Sequence, residues 1–294
     1  MFLSSALVAL SLAAPPLRAE FEFKDGDRIV WLGGTLVERE QRYGYWETAL
    51  LAANPGRKLT VRNLGWSGDT VHGESRGRFD YNNPDKCFKQ LVEPALELKP
   101  TVIFISYGTN ESFEGKEGLP RFEKGLEKLL DALKPANARI VLFPPMQFEG
   151  AAAARSADLK LYGDAVRAIA EKRQATFADP GVALPPTGVP KRLTDNGIHL
   201  TDEGYRLTPD TVLAALGLSV GRGTLDWTKL DPVRQAVLAK NEQFFNKWRP
   251  QNETYLFGFR KHEQGKNAKE IAEFDPFIAK LEDEIAAQLK ALNK

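Results

Sequence analysis

The feature that most restricts the fold is the run Thr101–Ser106 (TVIFIS), apolar at every interior position. A strand with one wet face alternates apolar and polar residues. An unbroken apolar run implies a strand covered on both faces, as in parallel sheets flanked by helices. Similar short β-rich runs lie at Arg28–Leu32 (RIVWL), Leu59–Leu64 (LTVRNL), Arg139–Phe143 (RIVLF) and Ala175–Ala178. Helical patterns separate them. Val37 to Ala53 is closed by Asn54-Pro55-Gly56, and Pro84 to Leu98 carries Pro94 as an expected kink. Leu119 to Leu133 places Phe122, Leu126, Leu129, Leu130 and Leu133 on one face, and Leu159 to Arg173 is a further helix. This βαβα series predicts an α/β fold with three layers, a parallel sheet between helices.

After Thr201 no strong strand follows, and the pattern becomes helical over Pro209–Leu216, Pro232–Trp248 and Ala268–Leu292. Residues 20–220 are expected to form the α/β domain and residues 221–294 a helical carboxyl-terminal extension packed on it. Within the extension, Arg249–Gln264 is rich in aromatic, basic and amide residues. Such a set suits either a ligand-stacking wall or an apolar seam that fixes the extension to the core. At the other end, Phe2 to Ala14 is apolar but too short to span a bilayer. With cleavage after Ala19 it reads as a signal peptide over residues 1–19, so the protein is expected to be exported, periplasmic or secreted. The other reading of this segment is a buried amino-terminal helix.

Composition excludes several functions. A single cysteine, Cys87, forms no intrachain disulfide. One cysteine and three histidines, His72, His199 and His262, are too few for a structural zinc or iron–sulfur site. A net charge of +1 and a pI of 7.8 argue against a nucleic-acid partner. No Gly-x-Gly-x-x-Gly or Walker loop follows a strand, which disfavours a nucleotide binder.

In open α/β sheets ligands bind beyond the carboxyl ends of the strands, and the distinctive residues of this chain cluster there. Gly33-Gly34-Thr35-Leu36 follows the first strand and Gly65-Trp66-Ser67-Gly68-Asp69-Thr70 the second. Tyr107-Gly108-Thr109-Asn110-Glu111 follows the third, and Asp195-Asn196-Gly197-Ile198-His199 comes near the end of the α/β region. Together they supply a hydroxyl, backbone N–H groups, an amide and an imidazole, the set that acyl transfer requires.

These four segments, in this order, resemble the blocks of the SGNH (GDSL) hydrolases over roughly Asp27 to Tyr205. The chain is also similar to exported bacterial members that carry a carboxyl-terminal extension. The resemblance implies a flavodoxin-like fold and a hydrolase of carboxylic esters, with a small-molecule or carbohydrate ester as substrate, no cofactor, no metal and no membrane span. It puts Thr35 at the nucleophile position and His199 as base, with Asn196 or Asp195 orienting the imidazole. Gly68 and Asn110 become the oxyanion donors, and Gly34, Trp66 and Glu111 the substrate-facing residues.

Three positions depart from the family pattern. Thr35 replaces serine, and its extra methyl stiffens χ1 and crowds the attack path. Asn196 stands where aspartate is usual, and Gly34 removes the acidic residue beside the nucleophile. Asp195 lies one position early, and adjacent side chains in an extended segment point opposite ways. A catalytically weak or inactive relative that binds a carbohydrate or acyl ligand in the same cleft is the alternative. Each residue also has a structural reading: Thr35 as a helix cap, Gly68 as a turn glycine, Asn110 as a loop amide, and Glu111 with Asp69 as loop braces.

Overall fold

The computed structural model describes residues 21–181, 192–218, 225–263 and 267–292. The leader at residues 1–19 and the boundary near residue 220 lie outside the described residues. Five strands form one sheet: β1 (Arg28–Gly33), β2 (Thr60–Asn63), β3 (Val102–Ser106), β4 (Arg139–Phe143) and β5 (Thr176–Phe177). All pairings are parallel and the order is β2-β1-β3-β4-β5. This is the doubly wound flavodoxin-like order, as the sequence pattern and the resemblance imply.

The helices are α1 (Thr35–Tyr43), α2 (Tyr45–Ala52), α3 (Pro84–Glu97), α4 (Gly115–Leu133), α5 (Ser156–Arg173), α6 (Asp202–Leu207), α7 (Pro209–Ala215), α8 (Trp227–Trp248), α9 (Glu253–Leu256) and α10 (Phe274–Leu292). The expected helix from Val37 to Ala53 is two helices. Gly44 adopts φ +68°, donates its N–H to Glu40 O and ends α1 as a left-handed cap. Burial resumes at once in α2, so the apolar pattern reads through the break. Two other boundaries move. The helix expected from Pro232 begins at Trp227, where the Asp226 side chain caps it by accepting the Thr228 N–H at 3.1 Å. The last helix begins at Phe274, after a 3₁₀ turn over Asn267–Glu273.

Alternation along the strands builds the two cores. Val30, Leu32, Ile103, Ile105 and Leu142 face α3, α4 and α5, meeting Leu91, Phe122, Leu126 and Tyr162. Ile29, Trp31, Val61, Phe104 and Val141 face the opposite layer, meeting Val37, Leu50, Leu213 and Val237 of α1, α2, α7 and α8. Both faces of β3 are therefore buried, which accounts for its unbroken apolar sequence.

The extension joins the second layer: α8 packs on α1, α2 and β2, and α10 packs on α8. A buried polar cluster lies in this seam. Lys240 Nζ donates to Glu47 Oε1 at 2.6 Å and to Val61 O at 3.1 Å, and Asn241 Nδ2 donates to Glu47 Oε2 at 3.1 Å. Lys240 and Glu47 are 1% and 2% exposed, so removing either charge strands the other away from water. We expect Lys240→Met to lower stability by about 3–5 kcal/mol in urea unfolding, and Lys240→Met/Glu47→Leu to recover most of that loss.

Candidate active site

Gly33 of β1 pairs with Ser106 of β3, so the two strands end level. From there the chain diverges to opposite faces of the sheet, into α1 after β1 and towards α4 after β3. The crevice opened by this divergence is where doubly wound sheets bind ligands. Here it is a narrow, partly open cavity bordered by Gly34, Thr35, Arg39, Asn110, Glu111 and His199 among others.

Thr35 is the first residue of α1, and Gly34 occupies the cap position without a side-chain capping bond. The Thr35 hydroxyl is thus not a helix cap. Its Oγ1 accepts the Gly68 N–H at 3.1 Å. Gly68 has φ +73°, a conformation that suits glycine and turns its N–H towards the hydroxyl. Asn110 Nδ2 donates to Asp69 O at 2.8 Å, which fixes the amide, and among the described residues its second N–H has no partner.

Buried charges hold these loops. Asp69 Oδ2 accepts Arg76 Nε at 2.6 Å and Tyr107 OH at 2.9 Å, with Arg76 wholly buried. Arg76 Nη2 donates in turn to Leu64 O at 2.8 Å. Glu111, expected to face substrate, does border the cavity, but its oxygens are committed to the backbone. Oε1 accepts the Val71 N–H and Oε2 the Gly108 N–H, each at 2.9 Å. One carboxyl thereby ties the loop after β2 to the loop after β3.

His199 arrives on a tight hairpin. Thr194 bridges Leu200 antiparallel, and the Asp195 N–H donates to His199 O at 3.0 Å. Glu149 anchors the hairpin by accepting the Thr194 N–H at 2.7 Å, and its own N–H donates to Gly197 O at 2.8 Å. Asn196 does not hold the imidazole. Its Oδ1 accepts the backbone N–H groups of Ile198 and His199 at 3.1 and 3.0 Å, the work of a turn-forming amide. Asp195 stands directly across the hairpin from His199, and residues so paired project to the same face. The rule of alternating side chains in an extended segment therefore does not separate Asp195 from the ring.

Asp195 is nonetheless engaged elsewhere: its Oδ2 accepts Arg39 Nη1 at 2.7 Å. Among the described residues no hydrogen bond joins the His199 ring to Thr35, Asp195 or Asn196. Burial is the main cause that holds the imidazole below its usual pKa. Arg39 pushes it down further, and Asp195 acts against both. The ring is accordingly held neutral, the form a general base needs.

A model of GDSL-like lipases and acylhydrolases matches residues 26–207. The chain belongs to the GDSL-like lipase/acylhydrolase family. It is by that membership an ester-hydrolysing enzyme. No curated protein matches it. Among solved structures, Axe2, an acetylxylan esterase from Geobacillus stearothermophilus, is similar at 21% identity and a TM-score of 0.53, over 67% of this chain and 96% of that one. Catalytic mutants of Axe2 alter a serine, an aspartate and a histidine. A gut microbial diltiazem-metabolizing enzyme is similar at 12% identity and a TM-score of 0.61, over 93% of this chain and 96% of that one. At these identities the likeness is one of fold.

Within this GDSL-like site Trp66 is not where a substrate-facing residue would stand. It is 9% exposed, meets Trp248 edge-on at 5.8 Å and is covered by the Arg249 guanidinium at 3.4 Å from the ring centroid. Arg249 Nη1 also donates to Glu38 Oε1 at 2.8 Å, while Glu38 Oε2 accepts the Ser67 N–H at 2.5 Å. Trp66 therefore binds the extension to the loop after β2. Of the other histidines, His72 is half-buried and not among the cavity residues. Cys87 is buried in α3, also outside the cavity. Sequence reasoning missed Arg39, Glu38 and Glu149. Arg39 had a readable signal, since it follows Thr35 by four positions and so shares its helix face.

Burial lifts the Glu111 carboxyl from 4.5 to about 7, against the pull of the N–H groups it accepts. The folded protein then keeps this proton up to about pH 7, while the unfolded chain releases it near 4.5. Stability from this group is present below pH 4.5 and falls as pH rises through that interval, by about 3 kcal/mol. Glu111→Gln should lack that fall, as read from urea midpoints across the same pH range.

Proposed function

We propose that the protein hydrolyses small-molecule or carbohydrate esters by acyl transfer to Thr35, with His199 as base. The observation that carries this reading is the convergence of Thr35, Asn110 and His199 on one cavity, with the Gly68 N–H on the Thr35 hydroxyl. In the first step Thr35 Oγ1 bonds to the ester carbonyl carbon and its proton passes to the His199 ring. The carbonyl oxygen becomes an oxyanion, stabilised by the Gly68 N–H and the free Asn110 N–H. Collapse breaks the bond to the alcohol oxygen, which takes the proton from His199. Water, deprotonated by the same ring, then attacks the acyl-threonine and returns the enzyme.

The carbohydrate side of the reading rests on the fold shared with an acetylxylan esterase and on the walls of the cavity. Met146, Phe148 and Ile198 offer apolar contact there, beside polar Arg39 and Asn110. We also propose that the protein acts outside the cytoplasm, on the strength of its apolar leader. Export is tested by whether the mature protein begins at Glu20 and is recovered outside the cytoplasm.

The assay that tests the chemistry is turnover of 4-nitrophenyl acetate and of acetylated xylo-oligosaccharide. We expect Thr35→Ala and His199→Ala each to lose about 10³-fold or more in kcat, and Asn110→Ala about 10²-fold. Thr35→Ser should keep or raise the rate, because it removes the obstructing methyl. Equal rates for wild type and Thr35→Ala would refute the nucleophile. A silent wild type rescued by Thr35→Ser would instead indicate a ligand-binding relative. Because burial and Arg39 hold the imidazole down, kcat/KM should rise with pH through an inflection below 6.5 and level off above it.

A further inference from the structure

The site holds an arginine that the acyl-transfer scheme leaves unused. Arg39 borders the cavity one helical turn beyond Thr35, with 27% of its side chain exposed. Only Nη1 has a hydrogen-bond partner among the described residues, Asp195 Oδ2 at 2.7 Å. The other donors of its rigid, planar fork have no partner among the described residues, and such a fork matches a carboxylate. Asp195 is also bonded through this one oxygen, with its side chain 47% exposed. Such an exposed pair is weak and easily exchanged.

Among the described residues the His199 ring has no acidic hydrogen-bond partner, although the hairpin register puts Asp195 on its own side. Asn196, at the position where the family carries its acid, is committed to backbone N–H groups. Among the described residues Asp195 is the acid whose charge acts on the ring, and Arg39 holds it.

Building on the Thr35–His199 reading, we propose that Arg39 determines specificity by binding a carboxylate borne by the ester substrate, and that this exchange frees Asp195 to hold the His199 ring. The Arg39–Asp195 hydrogen bond breaks and an Arg39–carboxylate pair forms. Asp195 Oδ2 then accepts the N–H of the ring nitrogen that is not acting as base. The substrate class is an acyl ester whose alcohol or acyl part carries an anionic group, such as an acetylated uronic acid. A neutral ester leaves the ion pair closed and the imidazole without its orienting acid, so it turns over slowly. The charged groups that act on the ring are Arg39 from α1 and Asp195 from its own hairpin.

The test compares esters that differ only in charge, using the full chain. One pair is 4-acetoxybenzoate and its methyl ester, with the charge on the alcohol side. The other is mono-4-nitrophenyl adipate and 4-nitrophenyl hexanoate, with the charge on the acyl side. For at least one pair we expect wild type to favour the anion about tenfold or more in kcat/KM. Arg39→Gln should abolish the preference and Arg39→Lys should keep part of it. No preference in either pair, or one unchanged in Arg39→Gln, would overturn the proposal.

A second readout needs no turnover. The chain has three histidines, so their ring C–H signals can be followed by NMR. Titration with 4-hydroxybenzoate and with adipate should raise the His199 pKa in wild type, less in Asp195→Asn, and not in Arg39→Gln. If no ester is hydrolysed but this shift appears, the acyl-transfer reading fails while the carboxylate site stands. If esters are hydrolysed without charge preference and the shift is absent, the reverse holds.

Discussion

The register between β1 and β3 is the constraint on which the rest of the site depends. Because Gly33 and Ser106 are paired, two strands end at one height and their chains leave towards opposite faces. Thr35 and Asn110 are thereby delivered to the two sides of one crevice without any long loop having to reach. Their positions rest on strands whose Ile103 and Leu32 side chains are fully enclosed. What remains of the site is built on short turns, and each turn is held by a named group: Glu111, Asp69 or Glu149.

Much of the fold was legible because parallel strands announce themselves. TVIFIS, RIVWL and RIVLF are apolar on both alternating sets, and the sheet buries both sets. The helix break at Gly44 was not legible, since a left-handed cap interrupts the backbone while the buried face runs on. At the site, Thr35, Asn110 and His199, each from a different block, border one cavity. The partner of His199 was harder. Counting residues in an extended chain sets Asp195 and Asn196 on opposite sides, but a hairpin is read across its rungs, and Asp195 faces His199 there. Trp66 misled for a related reason: its neighbour in space, Trp248, is far away in sequence.

Charge in the cavity is balanced by pairs of different strength. Asp69 and Arg76 are enclosed and fixed, and they shape the backbone around Asn110. Arg39 and Asp195 are half-open to solvent and act on the imidazole from outside the chemistry. The enclosed pair holds the loops from behind, and the more exposed pair stands at the rim of the cavity.

Glu38 joins what the linear map keeps apart. It lies three residues after Thr35, takes the Ser67 N–H with one oxygen and Arg249 with the other. The helix that starts at Thr35, the turn that supplies Gly68 and the carboxyl-terminal extension thus share a single carboxylate. Such a chain is not modular at this joint. An α/β core grafted without its own extension would leave the buried Glu38 carboxylate without its arginine, and an unrelated extension would have to bring an arginine to the same point. Recombination that respects the apparent domain boundary would still cut through the site.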